Sequence, residues 1–156
     1  MRAVLVGGGR PGLALTRELT AHGHAVRFVT RHEAFRPEIE AAGAECWIGD
    51  PDRIGSLRYA LESATVLLWL MGRAPAGDLH GSRLSMMMER TIDTTVRGVL
   101  YEGTPGGAAL VARMADYNEI PHAIIDTPRD DEDAWVAAVL ASIDGVLAAP
   151  RGAARS

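Results

Sequence analysis

Gly7, Gly9 and Gly12 stand at G-x-G-x-x-G spacing, directly after the apolar run Val4-Leu5-Val6 and directly before Leu13-Ala14-Leu15, where a helical pattern begins. Glycines spaced in this way between a strand and a helix can hold the diphosphate of a dinucleotide. Gly7 lets the chain turn sharply out of the strand, and Gly9 lets the backbone approach the phosphates. Gly12 lets the helix pack closely on the strand. The helix N-terminus adds unpaired N–H groups and a partial positive charge. The plain alternative is a structural turn, since glycine turns are common in α/β proteins. The placement between a clear strand and a clear helix favours the dinucleotide.

Further residues extend this reading. Arg10 and Pro11 lie inside the glycine loop, and Arg10 can close over the diphosphate or reach the adenosine side. Thr30 and Arg31 follow the second strand, where the adenosine ribose of a bound dinucleotide lies. An acid there accepts the ribose hydroxyls of NAD, whereas an arginine pairs with the 2′-phosphate of NADP. Arg31 therefore points to NADP (NADPH) in preference to NAD; the alternative is a solvated surface arginine. Asp50 follows the third strand, where it can flank the adenine and can equally cap the following helix or make a turn with Pro51; these readings are not exclusive. Met71, Gly72 and Arg73 follow the fourth strand, near the crevice where open α/β sheets bind ligands. His80, Tyr101, Glu102, Thr104, Asp126 and Thr127 are polar residues at or beyond the ends of strands four to six. His80 can titrate near neutrality, and Glu102 can act as a base if partly buried. Asp126 and Thr127 are placed to cap the last helix.

The elements that must position these residues alternate regularly. Strands are expected at about 2–6, 25–30, 44–48, 65–71, 98–102 and 123–125. The run Thr65-Val66-Leu67-Leu68-Trp69-Leu70-Met71 is apolar throughout, as a central parallel strand requires. Helices are expected at about 11–22, 34–42, 52–61, from 78 or 82 to 95, 106–118 and 130–147. Ile54, Leu57 and Leu61 share one face of the third. Six strands alternating with helices predict an α/β doubly wound parallel sheet, a Rossmann fold. The glycine motif on strand one argues for the order 3-2-1-4-5-6. Residues 1–150 are expected to form one NAD(P)-binding domain, with no second domain for a substrate, and 151–156 a frayed tail.

Composition narrows the chemistry. All 16 basic residues are arginine, so no mechanism that needs a lysine amine is available. Cys46 is the single cysteine, which excludes an intramolecular disulfide and a cysteine-rich metal site. The net charge of −4 gives no general attraction to nucleic acid or to an anionic membrane. With no apolar run near the roughly 20 residues of a membrane span, a cytoplasmic protein is expected. Met86, Met87 and Met88 are adjacent in the long helix and point in different directions around it. They suggest a homodimer contact or an apolar cofactor pocket, against the alternative of ordinary core with one exposed methionine.

Residues 1–72 resemble the short-chain dehydrogenase/reductase superfamily, in particular its atypical, NmrA-like branch. The resemblance rests on Gly23-His24-Ala25-Val26-Arg27-Phe28-Val29-Thr30-Arg31, on Ala42-Gly43-Ala44-Glu45 and on Gly49-Asp50. It implies a nicotinamide dinucleotide as ligand and an oxidoreductase-like protein. In that family the glycines are commonly spaced three apart, whereas Gly7-x-Gly9-x-x-Gly12 follows the general Rossmann spacing. The family's proton relay is Tyr-x-x-x-Lys on the helix after strand five, with a serine at that strand's end. Here Tyr117 is followed four residues later by Pro121, and Thr104 stands in place of the serine. The resemblance thus implies cofactor binding without the usual reductase apparatus: a cofactor-binding or sensing protein. The alternatives are an NADPH-dependent oxidoreductase that needs no relay, and a scaffold that has lost its ligand.

Overall fold

The computed structural model describes residues 1–150; the expected tail lies outside them. The chain runs β1 (Arg2–Gly7), α1 (Gly9–Ala21), β2 (Ala25–Thr30), α2 (Arg36–Ala41), β3 (Glu45–Ile48) and β4 (Val66–Leu70). It continues through α3 (Ser82–Ile92), β5 (Gly98–Glu102), α4 (Pro105–Tyr117), β6 (His122–Ile124) and α5 (Glu132–Ala148). Every strand pair is parallel, and the sheet order is β3-β2-β1-β4-β5-β6. This is the doubly wound α/β sheet that the sequence pattern predicts.

Side chains alternate between two apolar layers because strand residues point to opposite faces with period two. Val4, Val6, Leu67, Trp69, Val99 and Tyr101 pack against one layer, which holds α3 and α4. Leu5, Val66, Leu68, Leu70 and Leu100 pack against the other, which holds α1, α2 and α5. Both faces of β4 and β5 are therefore covered, and every residue of those strands is buried. All the strands run the same way, so their carboxyl ends form one edge. That edge carries the glycine loop.

Three expected boundaries are corrected. Residues 52–61 do not form an α-helix; a 3-10 helix over Ile54–Leu57 is followed by turns. The carbonyls that an α-helix would use are taken elsewhere. The Trp47 ring N–H donates to Ser56 O (3.1 Å) and the Ser56 hydroxyl donates to Arg53 O (2.7 Å). Ile54, Leu57 and Leu61 are nevertheless all buried. Helix α3 stops at Ile92 rather than at Thr95, because threonine hydroxyls bond local carbonyls: Thr91 to Met87 O and Thr94 to Thr91 O. Helix α5 is capped by Asp131, whose Oδ1 accepts from Ala134 N (3.0 Å), and not by Asp126 or Thr127.

Of the three adjacent methionines, Met87 and Met88 are buried and Met86 alone is exposed. The two buried thioethers belong to the core of the chain itself. Met87→Ala is accordingly expected to cost about 2–5 kcal/mol, the range for emptying a core site. Met86→Ala should leave stability within about 0.5 kcal/mol of the parent, as a surface substitution does. Denaturant unfolding of the two variants separates them; equal midpoints would place Met87 at the surface.

Candidate functional site at the carboxyl edge of the sheet

The glycine loop takes a left-handed path that only its sequence permits. Gly7 has φ +84°, and a Cβ there would stand 2.3 Å from Leu70 O. Gly8 N donates to that same carbonyl (2.8 Å), which pins the loop to the end of β4. Gly9 also lies in the left-handed region, at φ +56°, yet its Cβ would make only ordinary van der Waals contacts: Arg129 Nη1 is 3.8 Å away and Pro11 Cδ 4.0 Å. Gly7 is thus required by the protein's own packing. Gly9 is not, and what its missing side chain leaves free is the surface above α1.

Three crevices line up along the edge. One of about 460 Å³ lies beyond β2 and β3 and is walled by Thr30, Arg31 and Asp50. It shares Gly7, Met71 and Ala74 with a second, of about 510 Å³, formed by the glycine loop, Arg10 and Pro11. Arg73 and Arg129 are shared in turn with a third of about 490 Å³, beyond β5 and β6, into which Gly72, Glu102 and Thr127 open. The site residues expected from the sequence are therefore gathered in one trough, apart from Gly12, which is buried beneath it.

At the β2 end, Arg31 is exposed and makes no hydrogen bond or ion pair with the described residues. The nearby acid Glu33 is engaged by Arg36, with a second bond from Nη2 to Oε2 of 3.2 Å. That hydrogen bond holds the Glu33 carboxyl below its ordinary range. The cation beside this crevice is free and the carboxylate is occupied. Asp50 Oδ1 accepts from Asp52 N (2.9 Å), so the turn reading of this residue holds while it also lines the crevice.

At the β5 end the structure corrects one expectation. Glu102 is not a free base. Its carboxylate is paired with Arg129, each side chain being 8% exposed. Arg129 Nε donates to Oε1 (3.0 Å) and Oε2 (3.1 Å), and Nη2 donates to Oε1 as well. The Trp135 ring N–H donates to Oε2 (2.7 Å) and Gly72 N to Oε1 (3.1 Å). Four elements thus meet at one carboxylate. Sequence reasoning missed Arg129 and Trp135, because Arg129 is an ordinary loop arginine 121 positions from Gly8.

The other polar candidates are tied into the scaffold. His80 Nδ1 and the Tyr101 hydroxyl lie 2.6 Å apart, and both residues are buried. That hydroxyl also accepts from Thr104 N (2.9 Å). Thr104 caps α4, its Oγ1 accepting from Gly107 N (3.0 Å). Tyr117 is 75% exposed at the far end of α4, away from the trough. No group of His, Cys, Asp or Glu among the described residues is arranged to hold a metal ion, and none of their helices is long and apolar enough to cross a membrane.

No protein-family model matches the chain, and no curated protein matches it in sequence. Solved structures do match it in fold. Pen from Bacillus thuringiensis superposes with a TM-score of 0.67 at 13% identity, over 97% of this chain and 66% of that one. The Citrobacter sp. triphenylmethane reductase complexed with NADP(H) gives 0.61 at 20% identity, over 80% of this chain and 48% of that one. ChuY, an anaerobillin reductase from Escherichia coli O157:H7, gives 0.60 at 15% identity, over 80% and 71%. The chain spans about half the length of the triphenylmethane reductase. What these likenesses establish for the chain is its fold: a Rossmann-like α/β domain, found in reductases, one of them with NADP(H) bound.

Proposed function

We propose that the chain binds NADP(H) along the carboxyl edge of its sheet and serves as a cofactor-binding or sensing protein. The observation that carries this reading is the crevice walled by Gly7, Gly9, Arg10 and Pro11 at the N-terminus of α1, in line with a crevice walled by the unpaired Arg31. In this reading Gly7, Gly9, Arg10, Pro11 and Gly12 hold the diphosphate, and Thr30 and Arg31 take the 2′-phosphate and its ribose. Asp50 flanks the adenine, while Met71 and Gly72 face the nicotinamide ribose. NAD(H) occupies the same trough less tightly. No lysine and no placed tyrosine supply a proton, so the reading does not require turnover. Any homodimer contact of α3 falls to Met86, the exposed one of its three methionines.

A second reading draws on the crevice beyond β5 and β6, which adjoins the glycine loop and has room for a small molecule. In an NADPH-dependent oxidoreductase a substrate placed there would accept hydride by positioning alone. Structural neighbours named as reductases favour it as the alternative. Saturable NADPH oxidation with a small electrophile supports this second reading over the first.

Calorimetric titration tests the proposal. The wild type should prefer NADP(H) to NAD(H) by about ten- to a hundredfold, the value of a charge-assisted bond. Arg31→Ala should lose most of that preference without unfolding. Equal affinities in the wild type would reject the arginine assignment, and a flat titration with all four dinucleotides would leave only a ligand-free scaffold.

A further inference from the structure

We propose that Arg129 is a direct ligand of the dinucleotide diphosphate, held in position by Glu102. This rests on the nucleotide reading above and adds to it a residue from the opposite end of the chain. The first argument is an account of donors. Of the N–H groups in the glycine loop, that of Gly8 is spent on Leu70 O and that of Gly12 on Gly8 O. Pro11 has none. Only Gly9 and Arg10 keep a free N–H for an anion, which is few for two phosphates.

The second argument is where Arg129 lies. Its Nη1 is 3.8 Å from the Cβ position of Gly9, and Arg129 walls the same crevice as the glycine loop. Nη1 makes one long bond, 3.4 Å to Gly8 O, whereas Nε and Nη2 are saturated by Glu102 and Leu70 O. The guanidinium is fixed by one edge and offers the other to the trough. The ring of Trp135 underlies it at 5.4 Å, so little freedom remains to be lost when an anion binds. A planar guanidinium suits bidentate recognition of a phosphate. Buried ion pairs contribute little net stability compared with apolar packing, so the placement of this one beside the loop is better explained by a ligand.

The test uses the whole chain. Arg129→Met alone strands a buried carboxylate, so the double variant Arg129→Met with Glu102→Gln is the principal one, its fold checked by circular dichroism and melting. It should bind NADP(H) and NAD(H) about ten- to a hundredfold more weakly, with the ratio between the two cofactors unchanged. Adenosine 2′-phosphate, which has no diphosphate, should bind the wild type and the variant alike. Wild-type affinity for both dinucleotides in a folded variant overturns the role of Arg129 and leaves the nucleotide reading standing. Loss confined to NADP(H) would assign Arg129 to the 2′-phosphate instead. Equal weakening of adenosine 2′-phosphate would make its role structural. A wild type that binds no dinucleotide overturns both.

Discussion

Gly9→Asp is expected to abolish binding of NADP(H) and NAD(H) together while the chain stays folded. Aspartate tolerates the left-handed region better than most residues, so the φ of +56° at this position is only mildly strained by it. Its Cβ would make only ordinary van der Waals contacts, 3.8 Å from Arg129 Nη1 and 4.0 Å from Pro11 Cδ. It would put a carboxylate where the diphosphate belongs, and like charges juxtaposed in an interface cost several kcal/mol, on the order of a hundredfold or more in affinity. The same change at Gly7 is different in kind, because a Cβ there runs into Leu70 O at 2.3 Å. Gly7→Ala should lose folded protein before it loses ligand. Titration of folded Gly9→Asp with both dinucleotides decides the matter: retained affinity would reduce the glycine loop to a turn.

The second large effect concerns stability. Glu102→Ala should destabilise the chain by about 3–5 kcal/mol, the usual result of leaving a buried charge without its partner. Against a total of roughly 5–15 kcal/mol for a domain, that is enough to lower the denaturant midpoint severely. The loss has three sources. Arg129 keeps a desolvated charge, the Trp135 ring N–H loses its acceptor, and the Gly72 N–H loses its own. Pairing Glu102→Gln with Arg129→Met removes both charges and should recover most of the deficit. A Glu102→Ala midpoint close to wild type would mean that water reaches the pair and screens it.

The layout of the sheet was legible in the residues because its signals are local. An all-apolar run at 66–70 and a glycine cluster after β1 are each complete within about ten residues, and the parallel alternation follows from them. The placement of the glycine loop and of Arg31 at the carboxyl ends of β1 and β2 was legible for the same reason. The segment 52–61 was not. Its apolar spacing reads as helical, and Ile54, Leu57 and Leu61 are indeed buried, but the Trp47 ring N–H and the Ser56 hydroxyl draw its carbonyls away from helical bonding. The Trp47 donor comes from β3 and is invisible in the segment itself. The methionines show the same limit: their adjacency guarantees that they point different ways, but which of them meets the core depends on how α3 is rotated against β4 and β5.

The sequence by itself determined the six-stranded parallel order, the sharp glycine turn at the end of β1 and the absence of any lysine-based chemistry. These follow from backbone sterics, apolar periodicity and composition, which need no knowledge of distant residues. Only the tertiary structure decided that Glu102 is spent on Arg129 instead of standing free, and that His80 and Tyr101 are sealed into the scaffold. It also brought Arg129 over a loop 121 positions away. Burial and charge pairing are properties of the assembled edge: six strand ends converge there, and the fate of each polar side chain is set by which neighbours the fold delivers to it.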